Sequence, residues 1–268
     1  MYVCIFSLLI SVFSFLNIIY SNYFNLYLNI DSFIYSLITS LIFGLCFLIK
    51  KEKDFKITIY EKILTVILGY LILPVFISIP FYFSIYNISF INAYFEAVSG
   101  FTSTGFSVFE NIKHLDESLI LWRSTSQWIG GLYFLFSIIL LIDIFDVNLK
   151  KNLTNFLSFN TIETLKQSSK VLILYSVLTF GIFLLLNISG IRSFNSFNLS
   201  MTLISSGGFL PSNNLDNIIN TKTKEIILSF SMLTSFFSLF LTYNLLTIKK
   251  KILVFFRKTF IFLYIFVF

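Results

Sequence analysis

Between two long apolar runs lies Ser99-Gly100-Phe101-Thr102-Ser103-Thr104-Gly105-Phe106. With no base or metal constellation beside them, these side chains are not read as reacting groups. They suit the coordination of a cation by oxygen. A dehydrated cation needs oxygen ligands in place of its water shell, and rings of backbone carbonyls supply them in selectivity filters. Small side chains let several backbones converge on one axis, and glycine reaches the φ values that turn carbonyls inward. Thr102, Ser103, Thr104, Gly105 and Phe106 meet these needs. A second run, Ser205-Ser206-Gly207-Gly208-Phe209, lies in a similar setting, with Gly207 read as the counterpart of Gly105. Each run is expected to follow a short helix, over 89–100 and 194–204, whose negative C-terminal end favours a cation. An anion path would instead use helix N-termini or rings of Arg and Lys, and neither occurs in the turns. The competing reading is ordinary small-residue helix packing.

Around these runs stand a few further polar residues. Glu96 falls in the first short helix, where an ionisable group at membrane depth is a functional candidate. It either adds negative potential near the path or hydrogen-bonds the backbone behind the turn. Arg123 and Gln127, four apart, share a helix face and read as braces for the loop or a neighbouring unit. Trp122 and Trp128 are interface anchors or packing residues. Asp143 and Asp146 read as solvated loop charges or a docking point for a cytoplasmic partner. His114, the one histidine, sits beside Asp116 and Glu117 with no metal or general-base constellation. No nucleophile–base pair, Walker motif or dinucleotide fingerprint is present, so enzymatic chemistry and a catalytic residue are not expected, nor any cofactor or metal beyond the transported ion. Cys4 and Cys46 read as small core residues.

The elements that must position these residues are apolar helices. The chain of 268 residues is 57% hydrophobic and 12% charged, against about 25% charged in soluble domains, and its mean hydropathy is +0.88. That composition marks an all-α polytopic membrane protein. Its 36 phenylalanines and 14 tyrosines fit a lipid-facing surface or a biased genome. About 20 apolar residues cross the hydrocarbon core, which places spans near 2–20, 32–49, 57–86, 119–142, 170–190 and 225–247. The first begins without a basic n-region or small-residue cleavage site, as a retained span rather than a signal peptide. Pro74 and Pro80 interrupt the third, with neighbouring helices expected to satisfy the freed carbonyls. Lysines at 50, 51, 53 and 56, at 150, 151, 166 and 170, and Lys249, Lys250, Lys251, Arg257 and Lys258 mark the cytoplasmic side. The N-terminus is then inside, and both turns approach from outside. The resulting division is two N-terminal spans over 1–56, a first span–turn–span unit over 57–148, a second over 149–248, and 249–268 as a cytoplasmic linker and approach to a third unit.

Read together, these residues resemble the Trk/Ktr/HKT family of potassium transporters, specifically its TrkH-type membrane subunit. The resemblance runs through Ala93-Tyr94-Phe95-Glu96-Ala97-Val98 into the first turn, and through Leu121-Trp122-Arg123-Ser124-Thr125-Ser126-Gln127-Trp128-Ile129-Gly130-Gly131. It continues in Thr161-Ile162-Glu163-Thr164-Leu165-Lys166 and in Thr202-Leu203-Ile204 with the second turn. The resemblance implies span–pore-loop–span units of a potassium-channel-like pore, two extra N-terminal spans, and four filter turns closing one pore. Two of the four are here, which implies an N-terminal half: a split or truncated subunit, or one completed by a second copy. It also implies potassium (or sodium) uptake through filter residues Thr102, Ser103, Thr104, Gly105, Phe106, Ser205, Ser206, Gly207 and Gly208, with Glu96, Arg123 and Gln127 in support. Membrane lipids, a homodimer, a TrkA-like nucleotide-binding regulatory subunit in the cytoplasm and an inner-membrane location follow from the same resemblance. Nucleic acid is not an expected partner.

Overall fold

The computed structural model describes residues 2–48, 59–141 and 161–236, all of them helical or in connecting turns. The basic stretches at 50–56 and 150–151, Asp143 and Asp146, the end of the sixth predicted span, and 249–268 lie outside the described residues.

Among the described residues eight α-helices follow in chain order: α1 Tyr2–Tyr23, α2 Ile30–Leu48, α3 Ile59–Tyr82, α4 Phe90–Phe101, α5 Glu117–Leu141, α6 Thr161–Ile188, α7 Ser193–Ile204 and α8 Lys222–Phe236. Among the described residues four segments are long and apolar enough to cross a membrane: Tyr2–Tyr23, Tyr27–Cys46, Ile59–Tyr82 and Ser169–Ile188. The chain is a membrane protein.

α1 and α2 form a closely packed antiparallel pair. Small residues allow it: Ser14 Oγ and Ser36 Oγ are 3.1 Å apart, and Gly44 faces Leu8 and Ser7. Such faces let helix backbones approach closely where lipid supplies no hydrophobic drive. α2 also packs on α3. Pro80 leaves the Phe76 carbonyl without its helical donor, and Ser36 Oγ donates to that carbonyl at 3.0 Å. Cys4 is buried, as expected, but Cys46 is exposed. Among the described residues no helix packs on the far face of α2, so a small residue there does not become core.

α5 is the centre. It touches α1, α3, α4, α6 and α7, and every residue from Ser118 to Tyr133 is buried. Its middle carries Arg123-Ser124-Thr125-Ser126-Gln127, polar groups answered by protein rather than lipid. Trp122 and Trp128 are packing residues here. Trp122 Nε1 donates to the Ile77 carbonyl at 2.9 Å and Trp128 Nε1 to Thr179 Oγ1 at 2.9 Å.

Candidate functional site

The site is built where α4 and α7 end. Ser89 caps α4, its Oγ accepting from the Asn92 N–H at 3.3 Å. Both helices have 12 residues, and both end in the same backbone path. The C-cap residues Thr102 and Ser205 have φ −86° and −85°. The next residues, Ser103 and Ser206, are left-handed at φ 56° and 54°. The N–H of Thr104 then returns to the Ser99 carbonyl at 2.9 Å, and that of Gly207 to the Thr202 carbonyl at 2.7 Å. This corrects the register read from sequence. Gly207 stands where Thr104 does, and the counterpart of Gly105 is Gly208. Glycine identity had suggested the pairing with Gly207, whereas the hydrogen bonds and the left-handed serine fix the offset one residue later.

The two turns meet. Gly105 has φ +84°, and a Cβ added there would lie 2.6 Å from the Gly208 Cα. A side chain at 105 is therefore excluded twice, by backbone strain and by contact. The starts of both turns border a cavity of about 280 Å³, lined by Tyr70, Phe101, Thr102, Ser103, Gly130, Gly131, Phe134, Ser205 and Ser206. Thr102, Thr104, Phe106, Ser206 and Gly208 are exposed. The helix ends at Thr102 and Ser205 turn their partial negative charge toward this space.

The first turn has a charged brace. Glu96 is wholly buried, and Arg123 is 1% exposed. Arg123 Nε donates to Glu96 Oε1 at 2.8 Å, and Nη2 donates to Ser107 Oγ at 3.0 Å. Ser107 Oγ donates to Glu96 Oε1 at 3.1 Å, and the Val108 N–H donates to Glu96 Oε2 at 2.8 Å. The carboxylate is thereby tied to the backbone just after the turn. A buried ion pair is tolerated when its remaining hydrogen-bonding capacity is filled, and here it is. Ser99 Oγ adds a bond to the Phe106 carbonyl at 2.6 Å.

The second turn is held from α5. Oriented with its oxygen toward the turn, the Gln127 carboxamide accepts from Gly208 N–H at 3.1 Å and Phe209 N–H at 3.2 Å. Arg123 lies 4.1 Å over the Phe209 ring and donates to the Leu210 carbonyl at 3.4 Å. Two glycines bring α5 close enough. Gly130 faces the Phe101 carbonyl, so closely that no Cβ fits, and a Cβ at Gly131 would lie 2.7 Å from Ser205 Cβ. One α5 turn thus touches the ends of both short helices.

The loops beyond are sewn together at their far ends. Asn213 Oδ1 accepts from the Ile112 N–H at 2.7 Å, and its Nδ2 bonds Asn111 Oδ1. Arg192 pairs with Glu117 at 2.8 Å, and Tyr20 Oη donates to the same carboxylate at 3.0 Å. Tyr86 Oη donates to the His114 carbonyl at 2.8 Å; burial first and the Asp116 carboxylate second push its phenol pKa up. His114 itself joins no cluster: no group of three His, Cys, Asp or Glu is placed to hold a metal among the described residues.

All the residues singled out from sequence at the two turns, with Glu96, Arg123 and Gln127, fall in this one region. Sequence reasoning missed Ser107, which links acid and base, Ser99, and Phe209 as the ring under Arg123. Nothing in the sequence marks Ser107. Phe209, following the second turn as Phe106 follows the first, carried a detectable signal.

Comparison with known proteins follows the same lines. No family model matches the chain. It is 29% identical over 238 residues to an uncharacterized cation transporter of Methanocaldococcus jannaschii, covering 84% of this chain and 48% of that one. It is 24% identical over 194 residues to the Trk system potassium uptake protein TrkG of Escherichia coli K12, covering 69% and 40%. The crystal structure of the potassium transporter TrkH from Vibrio parahaemolyticus shares its fold, with a TM-score of 0.69 at 20% identity over 87% of this chain and 48% of that one. These relatives are transporters, not enzymes. The chain spans about half the length of the relatives it matches, a share that fits an N-terminal half. The chain is a homologue of the TrkG/TrkH-type potassium uptake proteins, the membrane subunits its motifs resemble.

Proposed function

We propose that the chain contributes two of the filter turns of a potassium-conducting path in the cytoplasmic membrane, acting as a TrkH-like uptake subunit. The carrying observation is the meeting of two matched turns at Gly105 and Gly208, beside a cavity that Thr102, Ser103, Ser205 and Ser206 border. Backbone carbonyls of 102–106 and 205–208 replace water around potassium, or sodium, as it passes. Glu96, Arg123 and Gln127 hold the turns and do not touch the ion. In the proposed topology α3–α4–α5 and α6–α7–α8 are the two span–pore-loop–span units behind the N-terminal pair, and the N-terminus is cytoplasmic. An inside-negative potential drives entry, at about 2.3 kcal/mol per charge per 100 mV. A dimeric assembly on a TrkA-like nucleotide-binding subunit belongs to the same proposal, supported by the likeness to Trk proteins.

A second reading has its own support: the exposed inner residues Thr102, Thr104, Ser206 and Gly208 and the half-length match. In it the chain conducts only beside a partner chain with two further units, or a second copy. Growth of a potassium-uptake-deficient host at limiting potassium separates the two. Growth with the chain alone, purified as a monomer, supports the first reading. Growth only with a co-expressed partner carrying two more units supports the second, and no growth in either arm overturns both.

A further inference from the structure

From Ser118 to Ser137 every residue of α5 is buried but one. Phe134 is 51% exposed, and it lines the cavity that both turns border. Its place follows from helix geometry. Gly130 meets the end of α4 at the Phe101 carbonyl, and Gly131 meets the end of α7 at Ser205. Residues three and four apart share a helix face, so Phe134 stands on the face of these two glycines, about 5 Å further along α5. The cavity wall therefore changes character within one helical turn. Beside the glycines it carries Thr102, Ser103, Ser205 and Ser206; one turn on it carries an exposed phenyl ring. That ring has no oxygen to offer a cation or its water shell, and narrow apolar stretches of a path resist passage by shedding water.

We propose that Phe134 is an apolar constriction of the cation path beside the turns, and that its ring limits the rate at which cations cross the cavity. The proposal rests on reading the two turns as filter segments. It is tested by rubidium uptake in potassium-uptake-deficient cells, in whichever arm conducts, the chain alone or beside a partner with two further units. Uptake is normalised to the amount of chain in the membrane. Phe134→Ala removes the bulk of the ring, and Phe134→Asn replaces it with a polar group. Each should raise uptake about three- to tenfold, because a wider or wetter passage lowers the barrier to a hydrated cation. Phe134→Leu, apolar and bulky, should stay within about twofold of the wild type, as the constriction is kept. Uptake unchanged or lowered in either Phe134→Ala or Phe134→Asn, with Gly105→Asp still abolishing it, overturns the role of Phe134 and leaves the filter assignment standing. Simple packing of the ring, or attraction of the cation to its face, would give that result. Wild-type uptake that is absent from both arms, or that survives Gly105→Asp, overturns the filter reading and this proposal with it.

Discussion

The two turns follow one backbone path and are braced in opposite ways. Behind the first stands a buried carboxylate, Glu96, answered by Arg123, Ser107 and the Val108 N–H. Behind the second, in the register set by Ser103 and Ser206, the place of Glu96 is taken by Leu199 and that of Ser107 by Leu210. Leu199 is 2% exposed, a core residue with no polar capacity. The second turn therefore borrows its polar contacts from α5, through Gln127 and the far side of Arg123. A repeated backbone does not require a repeated brace. What it requires is that buried N–H and C=O groups find partners, and one helix lying between the turns can serve both.

The comparison can be broken first at the charge pair. Arg123→Ala leaves Glu96 buried and unpaired, at an expected cost of about 3–5 kcal/mol. The thermal midpoint of the detergent-solubilised chain should fall steeply, with much of the protein lost to aggregation. The double variant Glu96→Leu with Arg123→Met makes the first turn resemble the second. It should recover most of the midpoint, since apolar replacement of a buried pair is often neutral. A double variant as unstable as the single one would mean that the turn needs the charges themselves.

Next comes the approach of α5. Gly130→Ala drives a methyl into the Phe101 carbonyl and should cost roughly 1–3 kcal/mol as overpacking. Gly131→Ala should act on the Ser205 side instead. Limited proteolysis within 102–110 and 205–214 would tell the two apart, each variant loosening its own turn first. Gln127→Leu leaves the N–H groups of Gly208 and Phe209 without an acceptor and should lower stability by about 1–3 kcal/mol. Amide exchange should rise at 207–210 and not at 103–106. Equal exchange at both turns would contradict the separate bracing. Ser107→Ala is the mildest, about 1 kcal/mol, because Arg123 still reaches Glu96 directly.

Much of this was legible in the residues. The short helices, predicted over 89–100 and 194–204, are observed at Phe90–Phe101 and Ser193–Ile204, because Ser89 offers a cap and the Gly/Ser/Thr runs end the apolar pattern. Four of the spans, among the described residues, were likewise readable from length and hydropathy, but ends were not: α3 stops at Tyr82 rather than 86, and α6 begins nine residues before 170. Apolar runs fade into loops gradually, so composition sets no sharp boundary. Matching glycines by type pairs Gly105 with Gly207, one residue off the backbone register. An ungapped alignment of Phe101–Phe106 on Ile204–Phe209 would have found Gly208. The central position of α5 was hinted at by Arg123-Ser124-Thr125-Ser126-Gln127, polar groups that only a protein interior could answer. The Ser107 bridge and the exposure of Phe134 depend on how helices dock, and no local pattern encodes that.

The most direct measurement is rubidium uptake by potassium-uptake-deficient cells carrying the chain, alone and beside a partner chain with two further units. Uptake should appear in at least one arm, and Gly105→Asp and Gly208→Asp should each abolish it while the protein still reaches the membrane. Uptake that survives both substitutions, or that is absent from both arms, would contradict the assignment of the two turns to a cation path.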